Sequence, residues 1–321
     1  MSDYNVIAGL RIKYLSADPS NPEDGQVWYN SSTNKLRVEG VVGTGAWASG
    51  GAVGLARTTA SAGTQTANVI FGGQMRNPPY SPQSVVEEYN GSSWSEVNNM
   101  PYSASNLSGT GTQTAALAFG GYLNVTTTAK YDGTNWTTSG TLSTGRELMG
   151  GIGIQTAGLA AGGYRRSPDN YPTQVEQYNG SSWTGAPSLN TGLYGRAASG
   201  TTAAALVAGG QTGSTSNAVE EYNGSSWSTV NARPYAAGSA AASGTQTAAL
   251  NYGGNPASQQ TTTVSYDGTN WSAESAMANG RSMGGGSPSG TSSAALATTG
   301  GAGTATEEFT APSGTSNISS S

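Results

Sequence analysis

The sequence contains neither cysteine nor histidine, and each absence excludes a kind of chemistry. Without cysteine, the chain can form no disulfide and presents no thiolate to a metal ion or a substrate. Without histidine, it lacks the commonest general base and the commonest metal ligand. The calcium-loop spacing D-x-D-x-D-G is absent too. We therefore expect no metal site and no cofactor.

Charge is also scarce, because Asp, Glu, Lys and Arg make up only 10% of the residues, against roughly a quarter in ordinary globular proteins. The 13 basic residues are scattered and the net charge is −5, so the clustered positive surface that nucleic-acid binding needs is missing. No apolar run reaches the ~18 residues of a membrane span. The opening MSDYNVIAGLRIKYLS lacks the apolar core of a secretory signal. We expect neither nucleic-acid binding nor membrane insertion.

The 48 glycines would by themselves suggest a low-complexity chain, but three marks recur along it. The first mark is a turn phrase of the GTQTA type, at residues 63–67, 111–115, 153–157, 200–204, 244–248 and 290–294. The second is a double glycine after a short apolar stretch, at residues 72–73, 120–121, 162–163, 209–210, 253–254 and 300–301. The third is a tyrosine-to-tryptophan phrase, at residues 89–94, 131–136, 178–183, 222–227 and 266–271.

The double glycines recur every 42 to 48 residues, and a period of about 40–50 residues with several short strands is typical of β-propeller blades. Each unit reads as four strands: the GTQTA turn joins the first two, and an Asn-Gly or Asp-Gly turn, which suits a tight hairpin, joins the last two. The tryptophans of the fourth strands are expected to pack between neighbouring blades, where a large side chain buries much area. These structural tryptophans are Trp47, Trp94, Trp136, Trp183, Trp227 and Trp271.

The two ends of the repeat region complement each other. The sixth unit stops at Phe309 without a tryptophan, whereas Trp47 precedes the first unit and has no phrase of its own. The simplest interpretation is that residues near Trp47 supply the outer strand of the last blade. A last blade completed by an N-terminal strand closes the ring of blades and so removes the exposed edges of an open sheet. The sequence thus predicts an all-β fold, with a six-bladed propeller over residues 41–310 that is closed by an N-terminal strand.

The spacing of the double glycine and the aromatic-turn-tryptophan phrase resembles the kelch repeat, over most of the chain. The richness in alanine, glycine, serine and threonine is more similar to the kelch-like propellers of bacteriophage virion proteins, especially from marine phages. This resemblance implies a virion structural protein that is made in the host cytoplasm. The copper site of kelch-like oxidases is excluded, because it needs histidine ligands and a cysteine-linked tyrosine.

We expect no enzymatic activity. Glycoside hydrolysis needs two carboxylates in one cleft, but the recurring acids lie at matching places on separate units, in the third strand. They are Glu87, Glu88, Glu176, Glu220, Glu221, Glu307 and Glu308. Because successive side chains of a strand alternate between its faces, adjacent carboxylates lie on opposite faces. We expect these carboxylates to form a solvated strand face or to provide charge repulsion along strand edges. The arginines do not reproduce the cluster that propeller sialidases use.

Residues 1–40 carry none of the repeat marks. Strands are predicted at 26–30 and 35–38, around a Ser-Ser-Thr-Asn turn, and form a β-hairpin module. The segment PEDGQVWYNSSTNKLRV resembles a short module near the ends of phage tail-fibre and other virion proteins, which implies attachment to other virion proteins. The alternative is an ordinary hairpin packed on the propeller. Residues 311–321 form a flexible Ser/Thr/Gly tail in this interpretation, with little fixed structure.

Binding is expected on the face of the propeller that holds the loops between the second and third strands and the loops between blades. The longest of these loops, at 74–83 and 164–173, contain tyrosine, arginine and proline. Tyrosine and arginine are favoured anchors of interfaces, and variable loops on a rigid scaffold usually carry recognition. The candidate binding residues are Arg76, Tyr80, Arg146, Tyr164, Arg165, Arg166, Tyr171 and Arg196. The alternative is that these loops merely pack on neighbours in an assembly.

The resulting functional hypothesis is a non-enzymatic tail-fibre or appendage adhesin whose loop face recognises a glycan or a protein of the host surface. Two alternatives stay open. One is a capsid or neck decoration or connecting protein that docks on other virion proteins, and the other is a bacterial surface propeller that binds carbohydrate. A homo-oligomer also stays open, since many fibre proteins are trimers, although no heptad pattern is visible.

Overall fold

The computed structural model describes residues 4–7, 10–20, 26–41, 44–167, 170–255, 259–311 and 313–317. Its regular structure is almost entirely β, with a 3₁₀ turn at Gly300–Ala302. The chain divides into two compact units, one made of Met1–Ala46 with Ala311–Ser321 and the other of Trp47–Thr310.

The strands of the described residues are, in chain order, β1 (Tyr4–Ile7), β2 (Leu10–Leu15), β3 (Val27–Asn30), β4 (Lys35–Val41), β5 (Ala46–Gly50), β6 (Ala60–Gly63), β7 (Asn68–Phe71), β8 (Val86–Tyr89), β9 (Trp94–Val97), β10 (Ser108–Thr112), β11 (Ala115–Phe119), β12 (Thr128–Tyr131), β13 (Trp136–Ser139), β14 (Gly150–Ile154), β15 (Ala157–Ala161), β16 (Val175–Tyr178), β17 (Trp183–Ala186), β18 (Ala197–Gly200), β19 (Ala205–Ala208), β20 (Val219–Tyr222), β21 (Trp227–Val230), β22 (Ala241–Gly244), β23 (Ala249–Tyr252), β24 (Thr263–Tyr266), β25 (Trp271–Glu274), β26 (Ala294–Thr298), β27 (Thr306–Thr310) and β28 (Ser313–Asn317).

The first unit contains one five-stranded sheet in the order β1-β2-β3-β4-β28, in which β2 and β3 pair in parallel. Trp28 and Asn30 on β3 both donate a hydrogen bond to Oδ1 of Asp18, at 2.9 and 2.7 Å. Arg37 on β4 forms an ion pair with the same carboxylate at 2.8 Å. The hydrogen bonds from Asn30 and Trp28 lower the pKa of Asp18. This carboxylate therefore fastens the turn after β2 to the antiparallel hairpin of β3 and β4.

The C-terminal segment differs from its sequence-based prediction. Little fixed structure is expected from the composition of 311–321, yet Ser313–Asn317 form β28 and pair antiparallel with β4. The free N–H and C=O groups of an edge strand can form hydrogen bonds with the backbone of any extended segment. Pairing of this kind needs no apolar side chains. A polar composition therefore does not exclude a strand where a sheet edge is open. The strands β1 and β2, which the sequence analysis did not predict, extend the same sheet.

The second unit contains, in its described residues, six small sheets that follow one another along the chain. The first to fifth sheets are four-stranded and consist of β6–β9, β10–β13, β14–β17, β18–β21 and β22–β25. The sixth sheet has the order β26-β27-β5. Neighbouring strands of the first five sheets pair antiparallel. The prediction of an all-β, propeller-like fold is confirmed.

Small side chains let these sheets pack closely. The second strand of the second sheet, β11, is buried along nearly its whole length and consists mainly of alanine. Gly109 on β10 faces the first sheet, and a Cβ at this position would lie 2.5 Å from Cζ of Phe71. Interiors packed at this density leave no room for an added methyl group. The glycine and alanine content thus reflects close packing between sheets rather than low complexity.

The tyrosine-to-tryptophan phrase forms the hairpin between the third and fourth strands of a sheet. Tyr131 and Trp136 lie opposite each other in the ladder of β12 and β13, with ring centroids 4.9 Å apart. The ring of Trp136 also packs against Phe71 of the first sheet, at 5.0 Å between centroids. One tryptophan therefore stabilises its own hairpin and the contact with the preceding sheet.

Hydrogen bonds from the repeat marks also join neighbouring sheets. Gln155, in the turn phrase of the third sheet, donates to the carbonyls of Ala116 and Tyr131 in the second sheet, at 3.0 and 2.5 Å. The indole N–H of Trp183 donates to Oγ1 of Thr128, again in the second sheet, at 2.9 Å. The turn phrase by itself predicts only a turn, whereas the side chain of its glutamine binds the backbone of the preceding sheet.

The same contacts link the first sheet with the sixth. Gln65 donates to the carbonyl of Phe309 at 2.6 Å. The indole N–H of Trp94 donates to Oγ1 of Thr306 at 3.0 Å. These two donors lie near the start of the second unit and both acceptors lie near its end, so the contacts join segments that are far apart in sequence.

The double glycine lies where loops of adjacent sheets approach each other. Gly73 has a φ of 95°, and its N–H donates to the carbonyl of Ala104 in the loop that precedes the second sheet, at 2.7 Å. A Cβ at Gly73 would lie 1.6 Å from the carbonyl oxygen of Thr58. Both the conformation and the close approach require glycine here.

Candidate functional site

Two of the arginines predicted for the open loop face are buried instead. Arg146 and Arg196 are 0% and 4% exposed. Arg146 pairs with Glu176 of its own sheet at 2.9 Å, and Arg196 pairs with Glu220 of its own sheet at 2.7 Å. Arg146 also donates to the carbonyls of Gly162 and Gln174. The prediction of these two arginines as binding residues was wrong, because the guanidinium groups turn inward to carbonyls and carboxylates that need donors.

The same buried pair recurs in the first and sixth sheets. Arg57 pairs with Glu87, and Arg281 pairs with Glu307, each at 2.5 Å. The second carboxylate oxygen of each glutamate accepts a backbone N–H from the loop that precedes the sheet, as Glu307 does from Ala278 at 2.7 Å. Burial lowers the pKa of Arg57 and Arg281, and the paired glutamate opposes that shift. The expectation of a solvated strand face was wrong for four of these glutamates, which are buried: Glu87, Glu176, Glu220 and Glu307.

Two sheets depart from this pattern. In the second sheet, Ala104 and Ala129 occupy the positions of the arginine and the glutamate, and both are buried. In the fifth sheet, Arg233 donates to the carbonyl of Ala237 at 2.8 Å and lies over the ring of Tyr235, 4.6 Å from its centroid. The buried arginine–glutamate pair is therefore one of several arrangements that hold the loop before a sheet in place.

The remaining candidates divide into two groups. Arg76 and Arg165 are half-buried, and Tyr80 is 55% exposed in the loop between β7 and β8. None of these three lines the pocket formed by the other candidates, Tyr164, Arg166 and Tyr171. The predicted face is thus not one continuous site.

Three tyrosines from the loops of the third and fourth sheets form a cluster. Tyr164 and Tyr171 belong to the loop between β15 and β16, and Tyr194 precedes β18. Their ring centroids lie 5.5 to 5.9 Å apart. All three are half-buried and so present part of their ring surface. Burial raises the pKa of Tyr194 above its ordinary value.

These tyrosines line a pocket of about 280 Å³, which we call the tyrosine pocket. Its lining consists of Asn106, Glu147, Leu148, Tyr164, Arg166, Tyr171 and Tyr194. The loops before the second, third and fourth sheets contribute to it, together with the loop between β15 and β16. Backbone hydrogen bonds in both directions join Glu147 to Tyr164, at 3.0 and 2.8 Å, so two of these loops are held in a fixed register.

Glu147 is the acidic group of this pocket, and it is buried. Its Oε2 accepts a hydrogen bond from Nδ2 of Asn106 at 2.8 Å. Its Oε1 lies 3.3 Å from Nε of Arg166, but without hydrogen-bond geometry, and accepts no hydrogen bond from the described residues. A buried acceptor without a donor is unfavourable. This oxygen is therefore available to a donor that enters the pocket.

Arg166 is the cation of the pocket, and its side chain is 40% exposed. Its guanidinium carbon lies 4.1 Å from the ring centroid of Tyr122, and its backbone N–H donates to Oδ1 of Asn124 at 3.1 Å. Leu123 and Asn124 have φ values of 66° and 58°, a backbone conformation that is uncommon outside glycine. Backbone strain of this kind often accompanies functional sites. The loop after β11 thus supports Arg166 from one side.

Sequence reasoning missed Asn106, Tyr122 and Glu147 as members of this site. Glu147 directly follows Arg146 and lies outside the recurring third-strand acids, so its irregular position was a signal that could have been used. Asn106 and Tyr122 carried no comparable mark. Only the approach of three loops brings them to the tyrosine cluster.

A second cavity, of about 150 Å³, takes its lining from all six sheets of the second unit or the segments that precede them. Its lining includes Ser61, Ser108, Gly151, Ala198, Ala242 and Gly286. Glycine, alanine, serine and threonine predominate there. Among the described residues, Arg196 is the charged member of this lining, and it is already paired with Glu220. The other lining side chains are uncharged and mostly small and offer little for specific recognition, so the tyrosine pocket is the better candidate site.

No group of three or more acidic or other ligating side chains that could hold a metal ion lies among the described residues. Within that same part of the chain, no helix has the length and apolarity to cross a membrane. No protein-family model matches the sequence, and no curated protein matches it either.

Proposed function

We propose that the six sheets of the second unit are the blades of a closed, kelch-like propeller. The contacts of Gln65 and Trp94 with the sixth sheet support closure, because their counterparts join other neighbouring sheets. β5 lies beside β27, where the other sheets have their fourth strand. Trp47 on β5 donates to Oγ1 of Thr263 in the fifth sheet at 3.0 Å, the same kind of contact. The small cavity lined by all six sheets also favours a ring.

We further propose that this protein is a non-enzymatic structural protein of a phage virion. Its role there is that of a tail-fibre or appendage adhesin. The observation that carries the recognition role is the tyrosine pocket. Four loop-face arginines are committed to buried ion pairs, whereas Arg166 and the three tyrosines remain accessible around one pocket. Tyrosine and arginine on rigidly held loops are typical of recognition surfaces. The virion assignment rests on the kelch-like repeat and on the resemblance of residues 22–38 to a virion module.

The residues of the pocket favour binding over catalysis. Glu147 is the one carboxylate among the described residues that line it, and the usual glycosidases need two. The chain also has no cysteine and no histidine to act as nucleophile or general base. We accordingly assign no reaction to this site.

The first unit is proposed to attach the protein to other virion proteins. It is a separate compact unit with its own sheet, which suits a module that binds a different partner from the loop face. In this proposal the first unit serves assembly and the second unit serves recognition.

Immunolabelling tests the virion role. Phage particles from the source of this sequence would be purified, labelled with an antibody against residues 47–310, and imaged by electron microscopy. Label at the ends of tail appendages is the expected result. Label over the capsid or neck would replace the adhesin role with a decoration or connecting role. Absence of label on all particles, with label on the bacterial surface, would favour a bacterial surface propeller and overturn the virion assignment.

A cell-binding assay tests recognition separately. The purified chain, labelled with a fluorophore, should bind bacteria that the phage infects and should not bind resistant strains. Equal binding to both kinds of cell, or binding to neither, would contradict host recognition by this protein.

A further inference from the structure

We propose that the tyrosine pocket binds one neutral hexopyranose unit of a surface glycan. This inference deepens the recognition role proposed above and rests on it for its biological setting, but the binding itself is a property of the purified chain. Four features of the pocket point to a neutral sugar: its ring surfaces, its free acceptor, its charge balance and its size.

The tyrosines supply the apolar part of such a site. A pyranose presents faces of C–H groups, which pack against aromatic rings, and hydroxyls at its edge. Tyr164, Tyr171 and Tyr194 offer half-buried rings together with phenolic O–H groups, so one set of side chains provides both kinds of contact. The cluster is already assembled, with centroids 5.5 to 5.9 Å apart, so little entropy is lost when a ligand binds.

The polar groups complement a ligand that both donates and accepts hydrogen bonds. Oε1 of Glu147 is buried and accepts no hydrogen bond from the described residues, and a sugar hydroxyl can donate to it. The partly exposed guanidinium of Arg166 can donate to a neighbouring sugar oxygen. A sugar hydroxyl meets both requirements at once, because one O–H group both donates and accepts.

The charges in the pocket favour a neutral ligand. Arg166 lies 3.3 Å from the carboxylate of Glu147, so the two charges largely offset each other. An anionic sugar would meet this buried carboxylate, and a cationic ligand would meet Arg166. A quaternary ammonium group also needs open space between aromatic faces, whereas these rings are already in contact with one another.

The size of the pocket limits the ligand to a small unit. Its volume of about 280 Å³ is just below the range of about 300–1,000 Å³ that is usual for drug-sized ligands. One sugar ring suits this space better than a peptide segment. The rest of a glycan would extend from the pocket into solvent.

The first experiment measures binding of small neutral sugars to the intact chain by isothermal titration calorimetry. The probes are the methyl glycosides of galactose, glucose and mannose, with glucuronic acid, N-acetylneuraminic acid and choline as comparisons. We expect at least one neutral glycoside to bind and the three charged probes not to bind. No binding by any neutral glycoside, or stronger binding by a charged probe, would overturn the proposal.

Variants then place the binding in the pocket. Tyr171→Ala removes ring surface from an exposed loop, and Glu147→Gln removes the charged acceptor while keeping its shape. Glu147→Gln should lower the affinity by about tenfold or more, because it removes a hydrogen bond to a charged group. Tyr171→Ala should lower the affinity by roughly threefold to tenfold, because it removes one aromatic contact. The matched control is Ile154→Ala, which removes an exposed apolar side chain from the last position of β14 and should leave the affinity unchanged.

A folding check separates a misfolded variant from a wrong inference. Thermal unfolding checks each variant, and if Glu147→Gln fails to fold, Tyr171→Ala decides. A folded Tyr171→Ala protein with unchanged sugar affinity would show that the sugar binds elsewhere and would sink the assignment of this pocket.

The cell assay distinguishes this inference from the adhesin function. If no neutral glycoside binds the purified chain, but the protein binds susceptible bacteria and its label marks appendage tips, the pocket assignment fails while the adhesin function stands. If a neutral glycoside binds in the pocket but no particle carries label, the pocket assignment stands while the virion function fails.

Discussion

Two arginines of one sheet, Arg146 and Arg166, have opposite environments. Arg146 is fully buried and paired with Glu176, and the same kind of pair occurs in the first, fourth and sixth sheets. Arg166 is partly exposed, lies over Tyr122 and lines the tyrosine pocket. The repeated arginine holds loops in place, and the one outside the repeat is available to a ligand. In this protein, recurrence along the chain indicates a structural role, and departure from the repeat indicates the candidate site.

Removal of Arg146 is expected to have the largest effect on stability. Arg146→Ala leaves the carboxylate of Glu176 buried without its cation, which should lower the free energy of unfolding by about 3–5 kcal/mol. Urea titration followed by tryptophan fluorescence measures this loss.

The double variant Arg146→Ala with Glu176→Ala serves as the control for that prediction. It reproduces the second sheet, where Ala104 and Ala129 occupy these positions. Because no uncompensated charge remains, it should be less destabilised than Arg146→Ala alone. A double variant that loses the sum of both single effects would contradict the ion-pair explanation.

Removal of Gln155 is expected to have the second-largest effect. Gln155→Ala leaves the carbonyls of Ala116 and Tyr131 without their donor, and the free energy of unfolding should fall by about 1–3 kcal/mol. The fourth sheet has Thr202 at the matching place in its turn phrase. Thr202→Ala should therefore change stability by less than about 0.5 kcal/mol, and equal losses in both variants would argue against a joint between sheets.

High pH tests another contact between the first and sixth sheets. The hydroxyl of Tyr89 donates to Glu308 at 2.5 Å, and burial, reinforced by this hydrogen bond, raises the pKa of Tyr89 to about 12. In the unfolded chain the pKa is about 10. Between these values the unfolded state binds fewer protons, so stability is unaffected below pH ~10 and falls as the pH rises from about 10 to 12.

The slope expected from one phenol is at most about 1.4 kcal/mol per pH unit. Urea midpoints at pH 9 to 12 measure it. Tyr89→Phe should reduce the slope without removing it, since burial also raises the pKa of Tyr131 and Tyr266. An unchanged slope in Tyr89→Phe would mean that Tyr89 ionises as easily in the folded protein as in the unfolded chain.

Removal of Arg166 is expected to have the smallest effect on stability. Its ion pair with Glu147 is partly solvated, so Arg166→Ala should change the free energy of unfolding by only about 0–1 kcal/mol, while sugar affinity falls. A stability loss as large as that of Arg146→Ala would erase the contrast between the two arginines and would make Arg166 a structural joint.

Much of the fold followed from local patterns. The Asn-Gly and Asp-Gly turns, as at Asn179 and Asp132, place the hairpins correctly, because the side chain accepts backbone N–H groups two and three residues on. β28 was missed because its pairing depends on an edge strand more than 250 residues earlier in the sequence. Local composition carries no information about such a partner.

The candidate site was predicted only in part. Tyr164, Arg166 and Tyr171 were identified because they lie in a long loop rich in tyrosine and arginine. Arg146 and Arg196 were assigned to the same face, although their guanidinium groups point inward. Loop position was therefore a poor guide to exposure, since a long side chain can turn toward either the solvent or the interior.

By itself, the sequence determined the period of the repeat, the positions of the hairpin turns and the all-β class. The turns and strands depend on interactions between residues that are close in sequence, and the same pattern occurs in each repeat. Only the tertiary structure decided which arginines are buried, what the glutamines of the turn phrase bind and which loops meet at the tyrosine pocket. Those outcomes depend on donors and acceptors brought together from distant parts of the chain, and a buried polar group points to wherever its partner lies.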